Sequence, residues 1–106
     1  MRQQFRQGDV LVEAVRKPKT LGTLVPLDRG RVILAYGEVT GHAHAVVPDD
    51  GVADMSAAQL FESPGGERYL LVDRPSALVH EEHGRIPLAP GAYRIVRQRE
   101  YSPEAI

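Results

Sequence analysis

Apolar residues in this chain come in short bursts cut by glycine, proline and acidic pairs, and no burst sustains a helical period. After a polar lead-in, Gly8-Asp9 opens Val10-Leu11-Val12-Glu13-Ala14-Val15, a β-branched run that predicts a first strand and ends at Arg16-Lys17-Pro18-Lys19. Thr20 to Gly30 carries Gly22, Pro26 and Gly30 among isolated apolar residues, which fits a loop or a short edge strand. Arg31 to Tyr36 is the clearest strand. It leads through Gly37-Glu38-Val39-Thr40-Gly41-His42-Ala43-His44 into Ala45-Val46-Val47, before the turn signal Pro48-Asp49-Asp50-Gly51.

Between Gly51 and Ser63, the Ala53–Glu62 stretch fits either a short helix or a strand, and its flanks favour the strand. Pro64-Gly65-Gly66 and Asp73-Arg74-Pro75-Ser76 bracket Glu67–Val72 and lead to Ala77–His80, a punctuation typical of hairpins. Gly84–Leu88 and Ala92–Tyr101 flank the Pro90-Gly91 turn, and the last of these alternates cleanly. Short strands between Pro/Gly turns predict an all-β fold, a small antiparallel barrel or sandwich. A chain of 106 residues makes one domain, with residues 1–7 and 102–106 expected as flexible tails. Ser102-Pro103-Glu104 has the form of a helix start, so the tail is either frayed or the beginning of an element truncated after Ile106.

Composition narrows the chemistry. With no cysteine there is no disulfide, thiolate nucleophile or Cys-based metal site. A formal charge of −1 argues against a protein that lives by non-specific phosphate binding, so nucleic acid is not the expected partner. The absence of an apolar leader or a membrane-length apolar run makes a soluble cytoplasmic protein the expectation, with no membrane contact. Gly-X-Ser-X-Gly, P-loop and dinucleotide patterns do not occur.

All 4 histidines fall into two doublets, His42/His44 and His80/His83. Residues two apart in a strand face the same way, so His42 and His44 present adjacent imidazoles. If the strand runs regularly from Tyr36, Glu38 and Thr40 share that face, and Glu38 becomes an extra ligand or a support for one. Gly37 and Gly41 are where a bulge would break this parity. His80 and His83, three apart, converge only through a tight turn at Glu81-Glu82, which the absence of apolar residues between Val79 and Ile86 allows. The expectation is a metal site of His42, His44, His80 and His83 supported by Glu38 or Glu82. Nitrogen ligands of this kind suit Zn, Fe, Ni, Mn or Cu without selecting among them. His-X-His also arises in merely solvated loops, and the adjacent acids Glu81-Glu82 and Asp49-Asp50 point to opposite faces of an extended chain.

The phrase Leu34–His44 (LAYGEVTGHAH), with His80-Glu81-Glu82-His83 and Gln98-Arg99-Glu100-Tyr101, resembles a family of small uncharacterised bacterial and phage-associated proteins, over most of the chain from about residue 8. That resemblance implies no particular activity. Gly41-His42-Ala43-His44 is also similar to the first metal motif of cupins, in which two histidines, a following glutamate and a later histidine hold the metal. Here no glutamate closely follows His44; the next acids are Asp49 and Asp50, and Glu38 precedes the pair.

A second surface is the alternating set Tyr93, Ile95, Arg97, Arg99 and Tyr101, whose Arg97, Arg99 and Tyr101 are a candidate binding face for RNA or a phosphate-bearing ligand. The favoured reading of this set is an ordinary outer face, with arginine stems covering aliphatic surface. Two functions are compatible with these features: a metal-binding β domain that acts on a small molecule when one coordination position is left to water, or a non-catalytic module that uses the histidine face to engage a protein partner or a second copy of itself.

Overall fold

The computed structural model of the protein describes residues 3–37, 41–51 and 56–97. Ten strands account for its regular structure: β1 (Gln4–Gln7), β2 (Val10–Val15), β3 (Thr23–Leu24), β4 (Val32–Tyr36), β5 (Ala43–Pro48), β6 (Ala58–Glu62), β7 (Arg68–Val72), β8 (Ser76–His80), β9 (His83–Leu88) and β10 (Gly91–Arg97). They form two antiparallel sheets, β1-β2-β10-β7-β6-β3 and β4-β5-β8-β9. Of the two expected architectures the sandwich is realised, because neither sheet closes on itself. Among the described residues no helix is long and apolar enough to cross a membrane.

The main core takes side chains from both sheets: Val10, Val12, Leu60, Leu70, Tyr93 and Ile95 from the larger, and Val32, Leu34, Val46, Leu78 and Leu88 from the smaller. Alternation assigns the inner faces. Val46 and Leu78 point inward, while Ala43, Ala45 and Val79 form a separate cluster with Ile33 on the outer face of the smaller sheet.

Several expected boundaries shift. Residues 4–7, placed by the sequence in a tail, form β1, because Phe5 packs against the core and Gln7 is buried at 2% exposure. The stretch from Tyr36 through His44 is not one strand: Tyr36 pairs with Ala43, and the Gly37 amide donates to the His42 carbonyl at 2.9 Å. The chain reverses there, so strand parity cannot carry Glu38 onto the face of His42. Glu38 and Thr40 themselves lie outside the described residues, as do Arg99, Tyr101 and the 102–104 segment. The turn at Asp73–Pro75 is no hairpin either. It carries the chain from β7 in one sheet to β8 in the other, with the Asp73 amide tied to the Ala57 carbonyl at 2.8 Å.

Two irregularities interrupt the smaller sheet. In the β4–β5 pair the register slips between Ile33 and Ala35, so Leu34 is an extra residue on β4 and turns into the core at 1% exposure. In the β8–β9 pair Leu78 faces Ile86 but His80 faces His83, which puts one extra residue on β9 next to Gly84. Without that bulge, His83 would stand on the opposite face from Ile86.

Candidate metal centre

The inner face of the smaller sheet ends in imidazoles. His44 lies one inward step beyond core Val46 on β5, and His80 one step beyond core Leu78 on β8. Glu81 and Glu82 form the reversal from His80 to His83, the tight turn that the spacing required. All four rings meet: His80 lies 4.3 Å from His44, 4.6 Å from His83 and 5.7 Å from His42 between centroids, and His44 and His83 stack at 5.7 Å. His80 is the hub.

The ligating atoms do not form one four-histidine set. Those that come within 4.8 Å of one another belong to His42, His80 and Glu81, the one such group of three or more among the described residues. Two imidazoles and a carboxylate from two neighbouring hairpin ends suit a borderline divalent ion. Glu82, expected as the supporting acid, stands 3.9 Å from His42 Nδ1 with its side chain largely exposed. The acid grouped with His42 and His80 is Glu81, whose Oε1 accepts the Ala43 amide at 3.0 Å, a bond that holds its carboxyl below the usual range. A carboxylate anchored in this way keeps lone pairs that a cation can share.

The close approach of backbone to rings depends on missing side chains. A Cβ on Gly37 would lie 3.0 Å from His42 Cβ and 3.4 Å from His80 Nε2. At His80 the Glu82 amide donates to Nδ1 at 3.0 Å, so the proton of the neutral ring sits on Nε2. Coordination through Nε2 moves that proton to Nδ1, and coordination through Nδ1 displaces the amide directly. Either route removes the Glu82 hydrogen bond. Titration with Zn²⁺ is therefore expected to move the Glu82 amide resonance and raise its hydrogen-exchange rate more than those of amides in β7; an unchanged Glu82 would exclude His80 as a ligand.

His44 is the most enclosed ring, at 3% exposure. Its Nδ1–H donates to Gln7 Oε1 at 2.9 Å. The direction follows from Gln7, whose Nε2 donates to the Leu78 carbonyl at 3.2 Å and to the Gly84 carbonyl at 2.9 Å, leaving Oε1 to accept. On its other side, His44 Nε2 faces Asp9 Oδ1 at 3.6 Å, and Asp9 Oδ2 accepts from Arg97 Nε at 2.9 Å. The bond from Arg97 holds the Asp9 carboxyl below its ordinary value. Burial, seconded by His80, pushes His44 below the ordinary 6.5.

A lowered imidazole value means that the unfolded chain takes up a proton more readily than the folded one between the folded value and 6.5. Chelator-treated protein is thus expected to hold its full His44 contribution above about pH 6.5 and to lose it as pH falls through that value. Urea denaturation at pH 8.0, 7.0, 6.0 and 5.5 checks this; midpoints that rose on acidification would contradict it.

The alternating set on the last strand also finds its place. Tyr93 and Ile95 are buried, so that face is the core-facing one and not an outer one. Arg97 continues it to the end of the sandwich, where it pairs with Asp9 and donates to the Tyr36 carbonyl at 3.1 Å. A cavity of about 380 Å³ lies elsewhere, lined by Leu27, Arg31, Val47 and Arg85 among others and by no histidine.

Gln7, Asp9 and Glu81 are not legible as site residues in the sequence. Gln7 and Asp9 reach the histidines across the two sheets, and the only local signal at Gly8-Asp9 is a turn. Adjacent acids diverge in extended chain, which counts against Glu81, but a hairpin turn is not extended.

Stacked antiparallel sheets with imidazoles and a carboxylate gathered at one end make this an all-β domain with a candidate cation site. The chain belongs to the family described as a domain of unknown function (DUF8820), whose model matches residues 6–98. No curated protein and no solved structure matches it.

Proposed function

We propose that this chain is a divalent transition-metal-binding domain in which His42, His80 and Glu81 supply the ligands. The supporting observation is the convergence of their donor atoms within 4.8 Å on two neighbouring hairpin ends. Zn, Fe, Ni, Mn and Cu all accept such a donor set. An ion held by three protein groups keeps a position for water, and when bound it would supply Lewis acidity for attack on a small-molecule carbonyl or phosphoryl group. The protein's own residues would orient the donors: the Ala43 amide fixes Glu81, and the absence of a side chain at Gly37 lets the rings close.

Elemental analysis of protein purified without a nickel column tests this reading. Bound metal at one equivalent or more is expected in wild type, with one equivalent lost in a His42→Ala/Glu81→Gln variant that keeps its fold. Metal content unchanged by that variant would remove these residues from the site. Metal-free wild type would leave the non-catalytic interaction module as the better account of the histidine face.

A further inference from the structure

We infer that the structure carries a second cation position, between His44 Nε2 and Asp9 Oδ1 and completed by His83, beside the one formed by His42, His80 and Glu81. The inference rests on the metal-binding reading of the histidine cluster and divides that cluster in two.

The key observation is a pair of acceptors facing one another. Gln7 spends both amide hydrogens on backbone carbonyls, so its oxygen requires a donor, and His44 Nδ1–H is that donor. A neutral His44 therefore presents a lone pair at Nε2, and a carboxylate oxygen lies 3.6 Å from that nitrogen. Nothing in the two groups themselves bridges them. Two acceptors this close repel, with His44 enclosed at 3% exposure and the Asp9 side chain at 34%, and a cation between them turns that repulsion into attraction. Arg97 satisfies only the other oxygen of Asp9.

The separation suits a metal. Ligands about 2.1 Å from a tetrahedral ion lie roughly 3.4 Å from each other, and His44 Nε2 and Asp9 Oδ1 are 3.6 Å apart. His83 stands further off, stacked on His44 at 5.7 Å, and as an exposed side chain at a hairpin end it closes by rotation. Gly8 forms the floor. A Cβ there would lie 2.9 Å from His83 Nε2 and 3.1 Å from His44 Cε1, so the turn leaves open the space next to both rings. Gln7 meets the usual requirement for a ligating histidine, an oxygen acceptor for its second nitrogen.

The competing occupant is a proton on His44 Nε2, and metal counting separates the two. Co²⁺ added to chelator-treated full chain and measured by equilibrium dialysis is expected to bind at two equivalents in wild type and one in Asp9→Asn. The asparagine amide can donate to His44 Nε2 while its oxygen accepts from Arg97, so this variant should stay folded. His83→Gln, at the exposed hairpin end, is the second variant, expected to weaken one equivalent at least tenfold. Glu81→Gln removes the other equivalent.

An unchanged count in folded Asp9→Asn together with unchanged affinity in His83→Gln overturns the inference. One equivalent in wild type, lost in Glu81→Gln and kept in Asp9→Asn, also overturns it and leaves the first position standing. One equivalent lost in Asp9→Asn and kept in Glu81→Gln supports the inference and overturns the His42/His80/Glu81 assignment instead.

Discussion

Gln7→Leu is expected to destabilise the chelator-treated protein by about 2–4 kcal/mol, a fall of roughly 10–20 °C in Tm for a domain of this size. The volume change is small, so packing is not the cause. The amide makes three hydrogen bonds from a position that is 2% exposed: it accepts from His44 Nδ1–H and donates to the carbonyls of Leu78 and Gly84. Leucine removes all three of these bonds, and each buried group left without a partner costs about 1–3 kcal/mol. Gln7→Glu distinguishes the partners. Its carboxylate still accepts from His44 but cannot donate to either carbonyl, so it should also destabilise while keeping His44 as the Nδ1–H tautomer in ¹⁵N spectra. Thermal melts within about 2 °C of wild type for Gln7→Leu would mean that water satisfies the three groups and that Gln7 does not lock the ring.

Leu78→Ala is the other large effect, at about 2–5 kcal/mol in chemical denaturation. Leu78 is fully buried in the main core and sits on β8 one inward step before His80. Its pair across the sheet is Ile86, immediately ahead of the bulge that brings His83 round to His80. The cavity left by alanine therefore opens under the hairpin that carries two imidazoles and Glu81. Metal affinity should fall along with stability, unlike in Val12→Ala, where an equally buried core residue lies on β2 of the opposite sheet. Equal metal affinity in the two variants would show that the site does not depend on the packing beneath it.

The histidine cluster also explains why the domain tolerates so much polarity at one end of its core. His80 and the three rings around it sit where the sandwich would otherwise expose its inner faces. The Gly8-Asp9 turn and Arg97 close that end from the larger sheet, with Asp9 bonded to Arg97. These are partly exposed contacts, so their worth lies in orientation more than in stability.

Much of the architecture could be read from residue order alone. Val10–Val15, Arg68–Val72 and the strand beginning near Ala92 alternate or run apolar between turn residues, and local pattern is enough to set such strands. The requirement for a reversal between His80 and His83 was equally legible, because extended backbone cannot bring residues three apart onto one face. What residue order could not supply is everything that depends on which strand lies against which. The reversal between Tyr36 and Ala43 breaks the single regular strand on which the expected parity of Glu38 with His42 rested, and the bulge beside Gly84 sets the face of His83. Gln7 and Asp9 reach His44 only because β1 and the turn after it, in one sheet, pack over the end of the other. Pattern along a chain records neighbours within a few residues; a cluster assembled from residues 7, 9, 42, 44, 80, 81 and 83 exists only once two sheets have stacked and their registers have been chosen.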